Sequence, residues 1–218
     1  TKIEIDKMAE ELILQGGDLP AFKNYKPVGS RIAFPAVLCV SVNDEIVHGI
    51  PNSYKIKEGD VVGLDLGIKH AGLYTDMAVT IGVGKINESD QRLIEVTRQA
   101  LEAGIVVAVA GGYTGDIGFA IESFVRPYKY GIVRELSGHG VGRKLHEDPY
   151  VPNYGKPSTG VKLKPGMVLA LEPMINEGQD GIILADDNFT YKTRDGSHSA
   201  HFEKTILITN DKPEILTP

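Results

Sequence analysis

Four carboxylates occupy settings in which an ionised group is costly. Asp65 lies inside Val61-Val62-Gly63-Leu64-Asp65-Leu66-Gly67-Ile68, and Glu172 ends the apolar run Met167-Val168-Leu169-Ala170-Leu171-Glu172. Glu203 interrupts Ala200-His201-Phe202-Glu203-Lys204-Thr205-Ile206, and Asp76 follows Asp65 in Tyr74-Thr75-Asp76-Met77-Ala78. A carboxylate removed from water needs a partner charge, hydrogen bonds or a cation. If residues 69–72 form a tight turn centred on His70-Ala71, Asp65 falls directly opposite Asp76 on one face of a hairpin. Like charges opposed across a ladder repel, so that pair needs a shared proton or a cation. Two solvated hairpin aspartates are the plainer alternative.

Nitrogen chemistry comes from Ser137-Gly138-His139-Gly140-Val141-Gly142-Arg143-Lys144-Leu145-His146-Glu147-Asp148-Pro149. Three glycines around His139 permit unusual backbone angles and close approach of the chain to a ligand. A lone histidine is commonly only a hydrogen bonder, but this one accompanies four carboxylates in apolar surroundings. One imidazole with mostly oxygen donors suits a pair of divalent ions, since carboxylates bridge two metals and soft thiolates are absent. Period-two geometry puts His201 on the strand face of Glu203, pointing at whatever Glu203 holds. In the competing reading Lys204, on the opposite face, is a structural counter-ion for Glu203.

These residues need elements to position them. Ile5, Met8, Ala9 and Leu12 recur at helical spacing over residues 3–14, before Gly16-Gly17. Residues 20–35 are rich in Gly, Pro, Lys and aromatics and read as loop, and residues 37–42 and 45–47 read as strands of a hairpin around Asn43-Asp44. A helical period over residues 90–110 ends at Gly111-Gly112. A second helix runs from Thr114, as N-cap, toward Phe124 and stops before Pro127. Residues 61–68, 74–83, 168–174 and 201–209 are strand-like, so the fold class is α+β. Residues 56–65 and 163–172 align as an internal repeat with Lys, Gly, Val and Leu in register, each copy ending in a carboxylate, Asp65 or Glu172. Two similar halves facing one another across a shared site produce such a pattern; two ordinary turn-then-strand segments are the chance alternative.

The 218 residues can bury a sizeable core, and no apolar run approaches the roughly 20 residues that span a bilayer. The opening residues do not resemble a secretory leader, and the single Cys39 fits a reducing cytoplasm. A net charge of -6 provides no basic footprint and speaks against a dedicated nucleic-acid binder.

Val47-His48-Gly49-Ile50-Pro51, Leu64-Asp65-Leu66-Gly67, Tyr74-Thr75-Asp76-Met77-Ala78, the segment 137–149, Leu171-Glu172-Pro173-Met174 and Ala200-His201-Phe202-Glu203, in this order, resemble the type I methionine aminopeptidases over nearly the whole chain. The His-Gly-Ile-Pro segment separates that family from the related Xaa-Pro peptidases, which share the five ligands. The resemblance implies a pita-bread fold of two pseudo-symmetric halves, with an antiparallel sheet enclosing the metal site. It implies removal of initiator methionine from nascent proteins by two-metal hydrolysis with an activated water. Asp65 would chelate one ion, Asp76 and Glu203 would bridge both, and His139 and Glu172 would hold the other, the ions being Co, Mn, Fe, Zn or Ni.

By the same resemblance Glu172 accepts the proton, and His48, His146 and His201 contact the substrate. Tyr25, Phe34, Cys39 and Leu145 wall the methionine pocket, with core packing the competing reading for Phe34 and Leu145. The implied partners are methionyl peptides of nascent chains and the ribosome, for a cytoplasmic monomer with no membrane attachment. The chain then reads as one catalytic domain over residues 1–218 that lacks the family's first N-terminal helix. His201 stands where many members have Gln, Lys204 where many have His, Leu145 where Phe is usual and Tyr191 where Trp is usual, and the loop over residues 22–34 looks longer. These departures leave the five ligands intact and bear on pocket shape and rate.

Overall fold

The computed structural model describes residues 1–26 and 32–218, so the middle of the loop expected over residues 20–35 lies outside the described residues. Helix α1 (Lys2–Gln15) opens the chain with Thr1 as its cap. Its inner stripe is Lys2, Ile5, Ala9 and Ile13 rather than the expected Ile5, Met8, Ala9 and Leu12, because Met8 and Leu12 face solvent at 61% and 62% exposure. Strands β1 (Leu19–Pro20), β2 (Cys39–Val42), β3 (Glu45–Val47), β4 (Val61–His70) and β5 (Leu73–Gly82) follow. β2 and β3 are not the two arms of a hairpin ladder: β2 pairs with β4, and β3 leaves for a different sheet.

The β4–β5 hairpin corrects the expected register. Its two-residue turn is Ala71-Gly72, not His70-Ala71, so Asp65 lies opposite Ala78 and Asp76 opposite Gly67. Both turn residues have positive φ, 47° at Ala71 and 89° at Gly72, as a primed hairpin turn demands, and glycine supplies the second without strain. The slip moves the pairing by two residues, which preserves parity, so the two aspartates remain diagonal neighbours on one face.

Helix α2 (Glu88–Val107), capped by the Asn87 side chain, stops three residues short of the expected end. Helix α3 (Thr114–Val125) begins one residue earlier than expected, with Tyr113 in the cap position, its N–H donating to Asp116 Oδ2 at 2.7 Å. The Thr114 hydroxyl accepts instead from Val161 N–H at 3.1 Å. Leu93, Val96, Ala100 and Ile105 of α2 bury against Ile117 and Ile121 of α3 and against the strands below, forming the largest apolar core.

The remaining strands are β6 (Gly131–Ile132), β7 (Gly138–Gly140), β8 (Glu147–Val151), β9 (Val168–Leu171), β10 (Met174–Asn176), β11 (Ile182–Leu184), β12 (Tyr191–Thr193), β13 (Ser199–His201), β14 (Lys204–Leu207) and β15 (Glu214–Ile215). All pairings are antiparallel: β1, β2 and β5 lie on β4, and the other sheets run β13-β10-β6, β11-β12-β3 and β15-β14-β9-β7-β8. Two strands expected to be continuous are interrupted. β9 gives way to β10 across Glu172-Pro173, and β13 to β14 across Phe202-Glu203, so this two-stranded ribbon passes from one sheet to another. Register is the same on both sides of the break, which sets Glu172 opposite Glu203.

The repeat is structural. Gly59 and Gly166 both have positive φ, 94° and 89°, and donate to Val83 O and Ile208 O at 2.8 Å. Asp60 and Met167 N–H close the turns on Lys57 O and Lys164 O, both at 3.2 Å. β4 then pairs with β5 as β9 pairs with β14, and the halves meet at an antiparallel bridge between Ala78 and Glu203. Ala71→Asn would relieve the cost of a left-handed alanine, and should raise urea-denaturation stability by roughly 1 kcal/mol. A destabilised Ala71→Asn variant would contradict the turn and the register it sets.

Candidate metal centre

Five side chains from both halves converge beside the Ala78–Glu203 bridge. β4 carries Asp65, β5 carries Asp76, β7 carries His139, and the two interruptions carry Glu172 and Glu203. Ligand atoms of Asp65, Asp76 and Glu203 lie within 4.8 Å of one another, as do those of His139, Glu172 and Glu203. A third grouping within the same distance joins Asp76, His139 and His146. Glu203 is common to the first two sets, and Asp76 to the first and third.

His139 shows what the cluster lacks. Its Nδ1 donates to Gly140 O at 2.9 Å, which leaves Nε2 without a proton. That lone pair faces Glu172 Oε1 at 3.5 Å and Glu203 Oε1 at 4.0 Å. Acceptors pointed at acceptors need a proton or a cation between them. Asp65 Oδ1, Glu203 Oε1 and His201 Nε2 are buried with no hydrogen-bond partner, so the donor set fits divalent ions. The glycines act by close approach: a Cβ on Gly138 would strike Ala170 O, one on Gly140 would strike Asp148 O, and of the three only Gly142 has positive φ.

Without cations the carboxylates repel each other's charge. Burial pushes Asp65 up to about 7, while burial and then the Asp65 charge push Asp76 well above the usual carboxylate range. Glu172 and Glu203 are likewise raised well above it, by burial first and then by neighbouring carboxylates. Cys39, opposite Asp65 in the β2–β4 ladder, is kept a thiol by burial and then by the neighbouring carboxylates.

Three further histidines lie near the ligand candidates. His48 is held at φ 58° with its ring 5.9 Å from Tyr191, and burial lowers its pKa to about 4. His146 stacks edge-on to His139 with ring centroids 4.3 Å apart, and its Nδ1 is hydrogen-bonded to the Tyr25 hydroxyl at 2.7 Å. His201 points Nε2 at Glu172 Oε2, 3.6 Å away, and burial lowers its pKa to about 3. His198 belongs elsewhere, paired with Asp90 at 2.8 Å. Lys204 does not serve Glu203, since its ammonium donates to Thr217 O at 3.4 Å.

The proposed pocket residues Phe34, Cys39 and Leu145 share one buried apolar cluster with Tyr25 at its edge. Ala21, Phe22, Ala36, Ile50, Tyr74 and Phe189 complete it, and Gly67 is required there because a Cβ would stand 2.6 Å from the Phe22 ring. Sequence reasoning missed three supports. Asn153 donates to Glu172 O at 3.0 Å, and Thr80 and Thr205 bind backbone across the seam. Extending the internal repeat into the second strand of each half would have found the threonines, as Thr80-Ile81 and Thr205-Ile206.

A profile of metallopeptidase family M24 matches residues 1–210. Methionine aminopeptidase of Clostridium perfringens is 44% identical over 217 residues, covering 100% of this chain and 85% of that protein. The crystal structure of methionine aminopeptidase from Thermotoga maritima superposes with a TM-score of 0.95 at 44% identity, covering 100% of this chain and 85% of that one. Prolidase from Pyrococcus furiosus shares the fold, at a TM-score of 0.77 and 24% identity over 100% of this chain and 55% of its own. Among the described residues no helix is long and apolar enough to cross a membrane.

Protons and cations compete for the same oxygens and for His139 Nε2. Asp65, raised to about 7, must release its proton to bind a cation, so affinity falls as pH drops through 7. Calorimetric titration with Mn(II) should show weaker binding at pH 6 than at pH 8, by about tenfold for each proton displaced per pH unit. Equal affinity at the two pH values would refute this electrostatic account.

Proposed function

The chain belongs to metallopeptidase family M24, and on that premise we propose that it releases N-terminal methionine from nascent proteins with two divalent cations held by Asp65, Asp76, His139, Glu172 and Glu203. The observation that carries the reading is the unprotonated His139 Nε2 facing Glu172 Oε1 and the buried Glu203 Oε1, which has no donor of its own. Asp65 would hold one ion and His139 and Glu172 the other, with Asp76 and Glu203 shared between them. Bound there, the ions lower the pKa of a water and polarise the scissile carbonyl. Co, Mn, Fe, Zn and Ni all suit a set of oxygens with one imidazole.

Glu172 is the proton acceptor in this reading. Its side chain keeps 14% exposure against 2% for Glu203, so it is the glutamate that substrate and water can reach. Asn153 fixes its backbone. His48 and His201 stay neutral near pH 7 because burial disfavours their cations. They add no positive charge against bound cations, and each can offer one N–H to a substrate carbonyl or a developing oxyanion. Tyr25 sets the ring of His146 for the same task.

The apolar cluster of Phe34, Cys39 and Leu145, with Tyr25 at its edge, begins beside Asp65, through Cys39. An unbranched thioether gains contacts on aromatic and sulfur surfaces, which suits methionine at that wall. Nascent N-termini emerge at the ribosome, which places the reaction in the cytoplasm. Xaa-Pro cleavage is the rival on this fold, and the relatives of nearly the same length favour methionine release instead.

Asp76→Asn removes a charge from the cation set. It should lower kcat/KM on a methionyl peptide by about 10³-fold or more while leaving a folded chain, because several kcal/mol of charge stabilisation go with it. Full activity in that variant would sink the site assignment. The wild-type chain supplied with Co(II) or Mn(II) should hydrolyse Met-Ala-Ser and leave an Xaa-Pro dipeptide intact; the reverse preference would replace this reading with the rival.

A further inference from the structure

The halves are joined at one end by the β3–β12 ladder and, beside Glu203, by a backbone bridge flanked by two side-chain contacts. Ala78 and Glu203 exchange both backbone hydrogen bonds, at 2.9 and 3.4 Å. Two residues along from Ala78, the Thr80 hydroxyl donates to His201 O at 2.7 Å and accepts from His201 N–H at 2.9 Å. Two residues along from Glu203, the Thr205 hydroxyl donates to Asp76 O at 2.8 Å and accepts from Asp76 N–H at 2.9 Å.

The two contacts are equivalents under the repeat. Each threonine stands at the same place in its half, before Ile81 or Ile206, and each grips the backbone of a site residue from the other half. A hydroxyl has one proton to give and lone pairs to receive, so it can satisfy both backbone groups of one residue at once. In that way it does the work of a further ladder rung while letting the strands stand farther apart than a direct N–H···O bond allows. Both threonines are buried, at 2% and 0% exposure. Burial alone does not demand such a contact: Thr97, also 0% exposed, bonds only to Leu93 O in its own helix. Thr205 is itself anchored, opposite Ala170 in the ladder and with its N–H on Thr217 Oγ1 at 3.0 Å.

We propose that Thr205 is a positioning residue for Asp76 and Thr80 one for His201, and that this reciprocal pair sets the separation at which the two halves present their ligands. The proposal rests on the reading of the site as a metal centre. Carboxylates on two separate ribbons can enclose small cations only if the ribbons keep a fixed spacing, and the hydroxyls are the side-chain groups that span it beside Glu203.

Mn(II) titration by calorimetry on the metal-free full chain tests the clamp. Thr205→Val keeps the shape and removes the hydroxyl, so affinity should fall about tenfold or more, as for other outer supports of metal ligands. Thr205→Ser restores the hydroxyl and should bind as the wild type does, and Thr97→Val should lose stability with unchanged affinity. Amide hydrogen exchange supplies a readout independent of metal: Thr205→Val should speed exchange selectively at Asp76, and Thr80→Val at His201. Thr205→Val binding Mn(II) as tightly as Thr205→Ser, or an Asp76 amide as protected as in the wild type, would overturn the proposal. A wild-type chain that takes up no Mn(II) would refute the metal reading instead, and amide exchange would then decide the clamp.

Discussion

Gathering four carboxylates in one volume, three of them buried, is the constraint on which the rest of this structure depends. Removing an ion from water costs roughly several kcal/mol even after relaxation, and like charges close together add to it. Asp65, Asp76 and Glu203 are nonetheless buried together, and neither lysine nor arginine is paired with them among the described residues. Such a cluster is tolerable as a cation cage and poor as anything else. The backbone arrangement follows, because oxygens that share cations need placement to fractions of an ångström. Paired strands give that rigidity, and each ligand candidate lies in a strand or where a strand changes sheets.

The surrounding groups complement that charge. Cys39 stays a thiol opposite Asp65, while His48 and His201 are held neutral by burial. An imidazolium in the same place would pair with a carboxylate and compete with the cation for it. His139 is oriented by a carbonyl rather than a carboxylate, so its Nε2 is aimed without another negative charge being added nearby. The glycines on either side of it let neighbouring backbone come close enough to fix that aim.

How much of this was legible depended on parity and separation. The face on which Asp65 and Asp76 lie survives an error of two residues in register, because side chains alternate with period two, although the turn was misplaced. Placing the turn needed the positive φ at Ala71 and Gly72, and the glycine alone hinted at it. The breaks at Glu172-Pro173 and Phe202-Glu203 were hidden, since the apolar residues run on through them and only the partners change. Met8 and Leu12 show the opposite failure: helical spacing selects a face but does not say which face is covered. Thr80 and Thr205 touch residues more than a hundred positions away, a separation that local pattern cannot reach.

The internal repeat therefore explains more than the alignment that first displayed it. Two copies of a turn and two strands build a near-symmetric frame, and the frame places equivalent positions around one bridge. The chemistry put into those positions is not symmetric. Asp65 corresponds to Glu172, but Ala78 corresponds to Glu203, and Asp76 to His201. A symmetric set would either double the carboxylates at the centre, raising the repulsion, or leave no side chain long enough to be shared there. Alanine opposite glutamate gives the central carboxylate room, and histidine in place of a second aspartate puts a neutral ring, rather than another charge, beside Glu172. The asymmetry of charge on a symmetric backbone is what lets one seam serve both as the join between the halves and as the floor of the site.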